Sequence, residues 1–162
     1  MTLIKSISGI RGTIGGAPGE GMTPLDAVKF AAGYAVWLKN ESGKKHPLAV
    51  LGRDARISGE MVEQLVSATL SGMGVNVSIL GLATTPTVEM AVPELKADGG
   101  IILTASHNPK QWNALKLLNH KGEFLSASDG ANILAIIDEE AFDFALVDDL
   151  GCMSEATGLN EF

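Results

Sequence analysis

The chain has 162 residues, 46% of them hydrophobic, which suffices for one domain with a buried core and excludes disorder as the default. Its 12 Lys and Arg against 19 Asp and Glu give a net charge of −7, which opposes nonspecific binding to nucleic acid or to an anionic membrane surface. The single Cys152 cannot form an intrachain disulfide, and the first residues lack the apolar core of a secretory signal, so we expect a cytoplasmic protein that binds neither nucleic acid nor membrane.

The first predicted helix begins at a group of capping residues. Thr23 offers a hydroxyl cap, Pro24 suits the first helical position, and the carboxylate of Asp26 faces the positive end of the helix dipole. The pattern predicts a helix to about Asn40, with an apolar face made of Leu25, Val28, Ala32, Ala35 and Val36. Residues 47–52 are too apolar for a half-exposed strand, so they favour a strand covered on both faces, as in a parallel sheet.

Helices and strands continue to alternate along the rest of the chain. The further predicted helices run from Ser58 to the glycines at 72 and 74, from Pro86 to about Leu95, and from a cap at Ser126 or Ser128 with Ile133, Ile136 and Ile137 inward. The further predicted strands are short apolar runs at residues 75–80, 99–104 and 113–118. Residues 141–162 have weak periodicity and are predicted to be a linker toward a second domain.

This alternation predicts a three-layer α/β/α sandwich with a mixed, mostly parallel four-stranded sheet over residues 1–140. In such folds functional groups gather where the carboxyl ends of strands meet loops, here at residues 8–12, 52–56, 81–85 and 104–109. All 12 basic residues lie within residues 1–122, whereas 10 of the 19 acidic residues lie beyond them. A cationic site is therefore expected in the first part of the chain, and the acidic end is interpreted as a solvated surface.

The segment T-A-S-H-N-P at residues 104–109 is the most informative of these loops, because it follows a buried apolar strand directly. Ser106 could be a nucleophile, a phosphate acceptor or an ordinary turn residue. The G-x-S-x-G elbow of serine hydrolases is absent, and His107 points to the opposite face of an extended segment from its neighbour, so a hydrolase triad is disfavoured. Cations on this and other loops suit an oxyanion such as phosphate: Lys110, Lys116, Arg11, Arg53 and Arg56.

Three motifs together resemble those of the α-D-phosphohexomutases, the family of phosphoglucomutase, phosphomannomutase and phosphoglucosamine mutase. They are S-G-I-R-G at residues 8–12, G-R-D-A-R with a following S-G at residues 52–59, and T-A-S-H-N-P with the downstream N-A-L-K at residues 104–116. They occur in the family's order, and the resemblance covers residues 1–140, the family's first domain. Ala114 departs from the pattern by replacing a glycine, which would alter a turn if positive φ were required there.

The resemblance implies a role for each matching residue. Ser106 would carry the transferable phosphoryl group and, through it, bind Mg²⁺, while Lys116 would be either a general acid or base or a phosphate-binding ammonium. His107 and Asn108 would orient the reacting groups. Arg11 would bind substrate phosphate, with a surface ion pair as its alternative, and Arg53 would bind phosphate or brace the domain.

The implied activity is the interconversion of hexose 6-phosphate and hexose 1-phosphate through a phosphoserine and a bound 1,6-bisphosphate, which also serves as activator. The family's aspartate-rich metal loop, sugar loop and final phosphate loop have no counterpart in the sequence. We therefore expect a first domain that needs the remaining domains of a longer chain and is inactive by itself. The alternative is a non-catalytic module that binds sugar phosphates or other proteins on the same fold. A nucleotide-binding domain is disfavoured because its glycine motifs are absent.

Overall fold

The computed structural model describes residues 1–156. The described strands are β1 (Leu3–Ser6), β2 (Gly9–Thr13), β3 (Leu48–Arg53), β4 (Asn76–Leu82), β5 (Gly99–Leu103), β6 (Trp112–Leu118) and β7 (Met153–Glu155). The described helices are α1 (Pro24–Ser42), α2 (Gly59–Gly72), α3 (Thr85–Glu94) and α4 (Ala127–Asp138), with a short 3-10 helix at Val147–Asp149. The predicted helices and strands are all present, with most boundaries shifted by one or two residues.

One sheet joins all seven described strands in the order β1-β2-β6-β5-β3-β4-β7. The pairs β3–β4, β3–β5 and β4–β7 are parallel, whereas β1–β2, β2–β6 and β5–β6 are antiparallel. The predicted α/β fold with a mixed sheet is confirmed, but it has seven strands instead of four and equal numbers of parallel and antiparallel pairs. The β1–β2 hairpin was missed because residues 8–12 contain serine and glycines typical of a loop, and their pairing with β6 is not local.

The start of α1 follows from its capping residues. Thr23 and Asp26 form a reciprocal capping box, and Gly43 ends the helix with a φ of 68°. Asp26 is buried because its carboxylate accepts hydrogen bonds from the backbone N–H groups of Gly19 and Thr23. This inward carboxylate turns Leu25 outward, where 56% of it is exposed, so the prediction that Leu25 belongs to the apolar face is wrong.

The sheet separates two hydrophobic clusters of unequal size. Helices α1, α2 and α4 pack on one face, against side chains such as Leu51, Ile101 and Leu115. Of the helices in residues 1–156, only α3 packs on the other face, where it covers Val50 and Ile102. Three layers result, as predicted. Since side chains alternate along a strand, Arg11 of β2 and Lys116 of β6 point to the α3 face, where Arg11 is exposed and Lys116 is half-buried.

A buried tyrosine joins α1 to the middle of the sheet. The Tyr34 hydroxyl donates to the carbonyl oxygen of Leu118 at 2.6 Å and accepts from the N–H of Gly100 at 2.9 Å, so its burial leaves no polar group without a partner. A Cβ atom at Gly99 would overlap the Tyr34 hydroxyl, which explains why glycine occupies this strand position.

The segment predicted as a linker is partly fastened to the domain. Gly151 donates its N–H to the carbonyl oxygen of Ser71 at 2.8 Å, and the Ser71 hydroxyl donates to the carbonyl oxygen of Gly151 at 2.7 Å. The strand β7 that follows pairs with β4 at the edge of the sheet. Residues 157–162 lie outside the described residues, and the domain boundary at residue 140 stays a prediction. Among the described helices, none is long and apolar enough to cross a membrane, and the cytoplasmic location stays a prediction.

Candidate active site

The serine loop, residues 104–111, connects β5 to β6 and presents Ser106 to solvent. The Ser106 backbone has a φ of 52°, in the left-handed region that a serine rarely adopts. Its N–H donates to the Thr104 hydroxyl at 3.1 Å, and the N–H of Asn108 donates to the carbonyl oxygen of Ala105 at 3.0 Å. A strained residue in a tight exposed loop is typical of a functional site, because surrounding contacts are needed to maintain it.

The two residues predicted to be central to catalysis are in direct contact. Lys116 lies in β6 with its side chain on the α3 face of the sheet, between Leu115 and Leu117, which face the larger cluster. Its Nζ donates a hydrogen bond to Ser106 Oγ at 2.8 Å. A positive charge is therefore placed at the atom that would bind or release a phosphoryl group.

Arg56 binds the serine loop through its whole guanidinium group. Nε donates to Asp54 Oδ2 at 3.3 Å, and Nη1 and Nη2 donate to four backbone carbonyl oxygens, those of Pro109 and Ser106 at 2.8 Å, Asn108 at 2.8 Å and Trp112 at 3.1 Å. The sequence suggested only a further cation suited to an oxyanion. The structure corrects this interpretation, since all five N–H groups of the guanidinium face protein acceptors.

Arg53, the last residue of β3, precedes the segment that joins β3 to α2, and its side chain turns toward α2. Its Nε lies 3.2 Å from Glu63 Oε2, and its Nη1 donates to the carbonyl oxygen of Asp54 at 3.3 Å. Burial raises the pKa of Glu63, and the nearby Arg53 charge opposes that shift. Arg53 therefore has a bracing partner within the domain, and its phosphate-binding role stays a prediction.

Arg11 and Lys116 line one open groove of about 290 Å³ on the α3 face of the sheet. Strand register explains the arrangement, because Arg11 pairs with Ala114 and Gly9 pairs with Lys116 across β2 and β6. The hydroxyls of Ser6 and Ser8, 3.3 Å apart, lie in the same groove. Among residues 1–156 no carboxylate lies within ion-pair distance of Arg11, so the surface ion pair considered from sequence does not form there.

His107 and Asn108 lie beside Ser106 with different surroundings. His107 is exposed, and Asn108 is half-buried and offers its backbone carbonyl to Arg56. Their predicted orienting roles toward a phosphoserine or a sugar hydroxyl stay predictions.

Asn113 and Ser58 form a buried contact that the sequence analysis missed. Asn113 is fully buried at the start of β6, and its Nδ2 donates to Ser58 Oγ at 2.9 Å. Ser58 makes no capping hydrogen bond to α2, so its predicted capping role is wrong. Both residues belong to the sequence motifs named above, Ser58 to the motif at residues 52–59 and Asn113 to the motif at residues 104–116. Ala114 follows Asn113 in β6 without positive φ, so its replacement of glycine alters no turn.

Magnesium prefers several oxygen ligands in an octahedral arrangement, usually carboxylates, phosphate oxygens and water. Within residues 1–156, no group of three or more His, Cys, Asp or Glu lies close enough together to hold a metal ion. The Ser106 hydroxyl faces an ammonium instead of carboxylates. The described residues do not form a magnesium site by themselves, and the expected ion stays a prediction.

Comparisons with known proteins find relatives over most of the chain. Residues 3–144 match the family model of phosphoglucomutase/phosphomannomutase, alpha/beta/alpha domain I. The chain is 37% identical over 142 residues to a phosphoglucomutase/phosphomannomutase of Thermococcus kodakarensis, covering 86% of this chain and 31% of that protein. It is 37% identical over 125 residues to a phosphoglucosamine mutase of Staphylococcus carnosus, covering 77% of this chain and 28% of that protein.

A solved structure shows the same fold. The crystal structure of a Thermus thermophilus protein assigned as a phosphomannomutase superposes with a TM-score of 0.78 at 29% identity, covering 96% of this chain and 33% of that one. The chain thus spans about a third of the length of the curated relatives it matches.

Proposed function

The chain belongs to the phosphoglucomutase/phosphomannomutase family, and on that premise we propose that Ser106 carries the phosphoryl group in an interconversion of hexose 1-phosphate and hexose 6-phosphate. The observation that carries the proposal is the 2.8 Å hydrogen bond from Lys116 Nζ to Ser106 Oγ in an exposed, strained loop. A turn residue alone would not need the ammonium.

Phosphoryl transfer needs positioning and charge stabilisation more than covalent chemistry. In the proposed step, a sugar hydroxyl oxygen bonds to phosphorus as the bond from phosphorus to Ser106 Oγ breaks, and in the net step a proton passes from the sugar hydroxyl to Ser106 Oγ. Lys116 donates to Ser106 Oγ, which suits stabilisation of the developing charge on that oxygen, whether by proton transfer or as an ammonium. In the reverse step, Ser106 Oγ bonds to a phosphorus of the bisphosphate as the bond from that phosphorus to the sugar oxygen breaks, and in the net step the serine proton passes to that sugar oxygen.

The groove beside Ser106 supports a substrate with two phosphate positions. Arg11 is exposed on the same open face as Lys116, and a guanidinium binds phosphate oxygens in a bidentate geometry. We propose that Arg11 binds the phosphate that is not being transferred, while Lys116 serves the one at Ser106. This division fits a hexose 1,6-bisphosphate, which must present each of its two phosphates to the serine in turn.

Two further parts of the proposal come from the family resemblance. Mg²⁺ would neutralise charge on a phosphoryl group at Ser106, with its remaining ligands from residues beyond those described. Hexose 1,6-bisphosphate would load the serine. We also propose that this chain does not turn over substrate without further residues like those that make up the other two thirds of its relatives.

The test is an isomerisation assay with glucose 1-phosphate, a trace of glucose 1,6-bisphosphate and Mg²⁺, run with this chain and with a longer protein that contains it. We expect the longer protein to form glucose 6-phosphate or, with mannose or glucosamine phosphates, the corresponding product, and Ser106→Ala to abolish it. Binding without isomerisation of any of the three sugars in the longer protein would instead indicate a non-catalytic module. A robust rate from this chain alone would refute the proposed dependence on further residues.

A further inference from the structure

We infer that Arg56 is a positioning residue for Ser106, whose guanidinium fixes the backbone conformation in which the Ser106 hydroxyl meets Lys116. This role matters for catalysis only if Ser106 carries the phosphoryl group, so it rests on the proposed function. The conformation of Ser106 can nevertheless be measured without any transfer of phosphate.

The guanidinium joins the two halves of the serine loop. Nη2 binds the carbonyl oxygens of Ser106 and Asn108 in the first half, while Nη1 binds those of Pro109 and Trp112, where the loop enters β6. Only 12% of the Arg56 side chain is exposed, although Ser106 and Pro109, which supply two of the four acceptors, are exposed residues. Without the guanidinium, four carbonyl groups at one turn would lose their shared donor.

Arg56 acts where Ser106 is strained. A φ of 52° is unfavourable for a serine, and contacts on both sides of the residue stabilise it here. The N–H side of Ser106 is held by the Thr104 hydroxyl, and its carbonyl side is held by Arg56. Removing the hold on the carbonyl side would let the peptide rotate and Ser106 return to negative φ, which would turn its hydroxyl away from Lys116.

The connection that carries Arg56 also holds the strand that carries Lys116. Ser58, two residues after Arg56, accepts a hydrogen bond from the buried Asn113 at 2.9 Å, and Lys116 follows three residues later in β6. One short segment, residues 54–58, therefore contacts both the serine loop and the start of β6, while pairing with β2 and β5 holds Lys116 itself.

A lysine cannot replace Arg56 in this role. The planar guanidinium offers five N–H groups in a fixed fork, whereas a lysine ammonium is a single point with three donors. Arg56→Lys keeps the positive charge next to Asp54 but removes the planar set of five donors. Any effect of this variant therefore comes from the lost hydrogen bonds and not from a lost charge. Glu63→Gln is the matched control, because it weakens the Arg53–Glu63 pair at the other end of the same connection without touching the serine loop.

The experiment is solution NMR of the isotope-labelled 162-residue chain and its variants. In the parent, positive φ at Ser106 gives an intense intraresidue NOE from HN to Hα, and the contact with Lys116 gives an NOE from Ser106 Hβ to the lysine Hε protons. We expect Arg56→Lys to lose both NOEs while the remaining spectrum keeps its dispersion, and Glu63→Gln to keep both. In parallel, phosphate on Ser106 is followed by mass spectrometry in a longer protein that contains the chain, after addition of glucose 1,6-bisphosphate and Mg²⁺.

Retention of both NOEs in Arg56→Lys would overturn the inference. If that variant does not fold, Asp54→Asn replaces it, since Asp54 accepts from Arg56 Nε, and the same two NOEs are expected to weaken. Unfolding of both variants would also overturn the inference, because it would show a role in the whole domain. Loss of the NOEs in Arg56→Lys, with no phosphate ever found on Ser106 in a longer protein that contains the chain, would contradict the proposed function and leave the positioning role intact.

Discussion

Lys116 Nζ and Ser106 Oγ lie 2.8 Å apart although the two residues are ten positions apart in the sequence. The intervening serine loop turns back on itself around Arg56, and β6 then carries Lys116 past the serine. The contact joins a hydroxyl that can hold a phosphoryl group to a cation that can stabilise its transfer. Several measurable consequences depend on this contact and on the packing beneath it.

In a longer protein that contains the chain, replacement of Lys116 by glutamine should slow the transfer of phosphate from glucose 1,6-bisphosphate to Ser106. We expect a decrease of about 10²- to 10⁴-fold, the usual contribution of a positioned acid or base. Glutamine keeps most of the side-chain volume and can still hydrogen-bond, but it carries neither charge nor a transferable proton. Lys121→Gln, at an exposed position in the turn after β6, is the control and should leave the rate unchanged. Equal rates for both variants would show that the contact with Ser106 is not used in transfer.

Replacement of Tyr34 by phenylalanine should lower the free energy of unfolding by about 1–3 kcal/mol, because the Leu118 carbonyl and the Gly100 N–H lose their buried partner. Gly99→Ala should also lower the free energy of unfolding by about 1–3 kcal/mol, because its Cβ overlaps the same hydroxyl. The double variant should cost less than the sum, since removal of the hydroxyl makes room for the methyl group. Strict additivity in urea unfolding would contradict this packing.

Alkaline pH should destabilise the protein through Tyr34. Complete burial raises the pKa of this hydroxyl well above its usual range, with the Asp98 charge in the same direction and the Gly100 hydrogen bond opposing it. Above about pH 10 the unfolded tyrosine loses its proton while the folded one keeps it, so the free energy of unfolding falls by about 1.4 kcal/mol per pH unit from this group. Below that pH, the tyrosine keeps its proton in both states, so it does not change the free energy of unfolding with pH.

The measurement is urea unfolding of the parent and Tyr34→Phe across this range. The stability advantage of the parent over the variant should shrink as the pH rises, since phenylalanine has no proton to lose. Parallel curves for the two proteins would contradict the raised pKa.

Replacement of Gly9 by alanine should disturb the pairing of β2 with β6. Gly9 has a φ of 142°, and a Cβ there would overlap the carbonyl oxygen of Leu115. Gly19→Ala is the control, because Gly19 also has positive φ, 86°, but open space around the position of a Cβ. We expect the Gly9 variant to lose at least about 1 kcal/mol more stability than the control, from overpacking in addition to strain. Equal losses would show that the strands adjust.

Local chemistry made parts of the fold predictable. The capping residues Thr23, Pro24 and Asp26 mark the start of α1 because the groups that satisfy the first backbone N–H groups lie within four residues. The buried strands β3 and β5 were predicted because both faces are covered, so their residues are apolar without alternation. The hairpin β1–β2 was missed because its stability comes from pairing with β6, about 100 residues away.

The candidate site was predictable in its residues but not in its connections. Ser106 and Lys116 were both chosen from motifs, and the structure brings them together. The contacts of Arg56 were not predicted, because its four acceptors are backbone carbonyl oxygens. Every residue has such an oxygen, so the sequence does not mark which ones Arg56 binds. Arg53 shows the same limit, since its pairing with Glu63 depends on how the loop meets α2.

The central claim is that Ser106 carries the phosphoryl group, and peptide mass mapping tests it most directly. The chain, the longer protein that contains it and Ser106→Ala in both are incubated with glucose 1,6-bisphosphate and Mg²⁺, digested and searched for added phosphate. The account predicts phosphate on the peptide of Ser106 in the longer protein, and its absence from Ser106→Ala. Phosphate on another residue, equal labelling of the alanine variant, or isomerisation by a longer protein that never carries phosphate at Ser106 would contradict it.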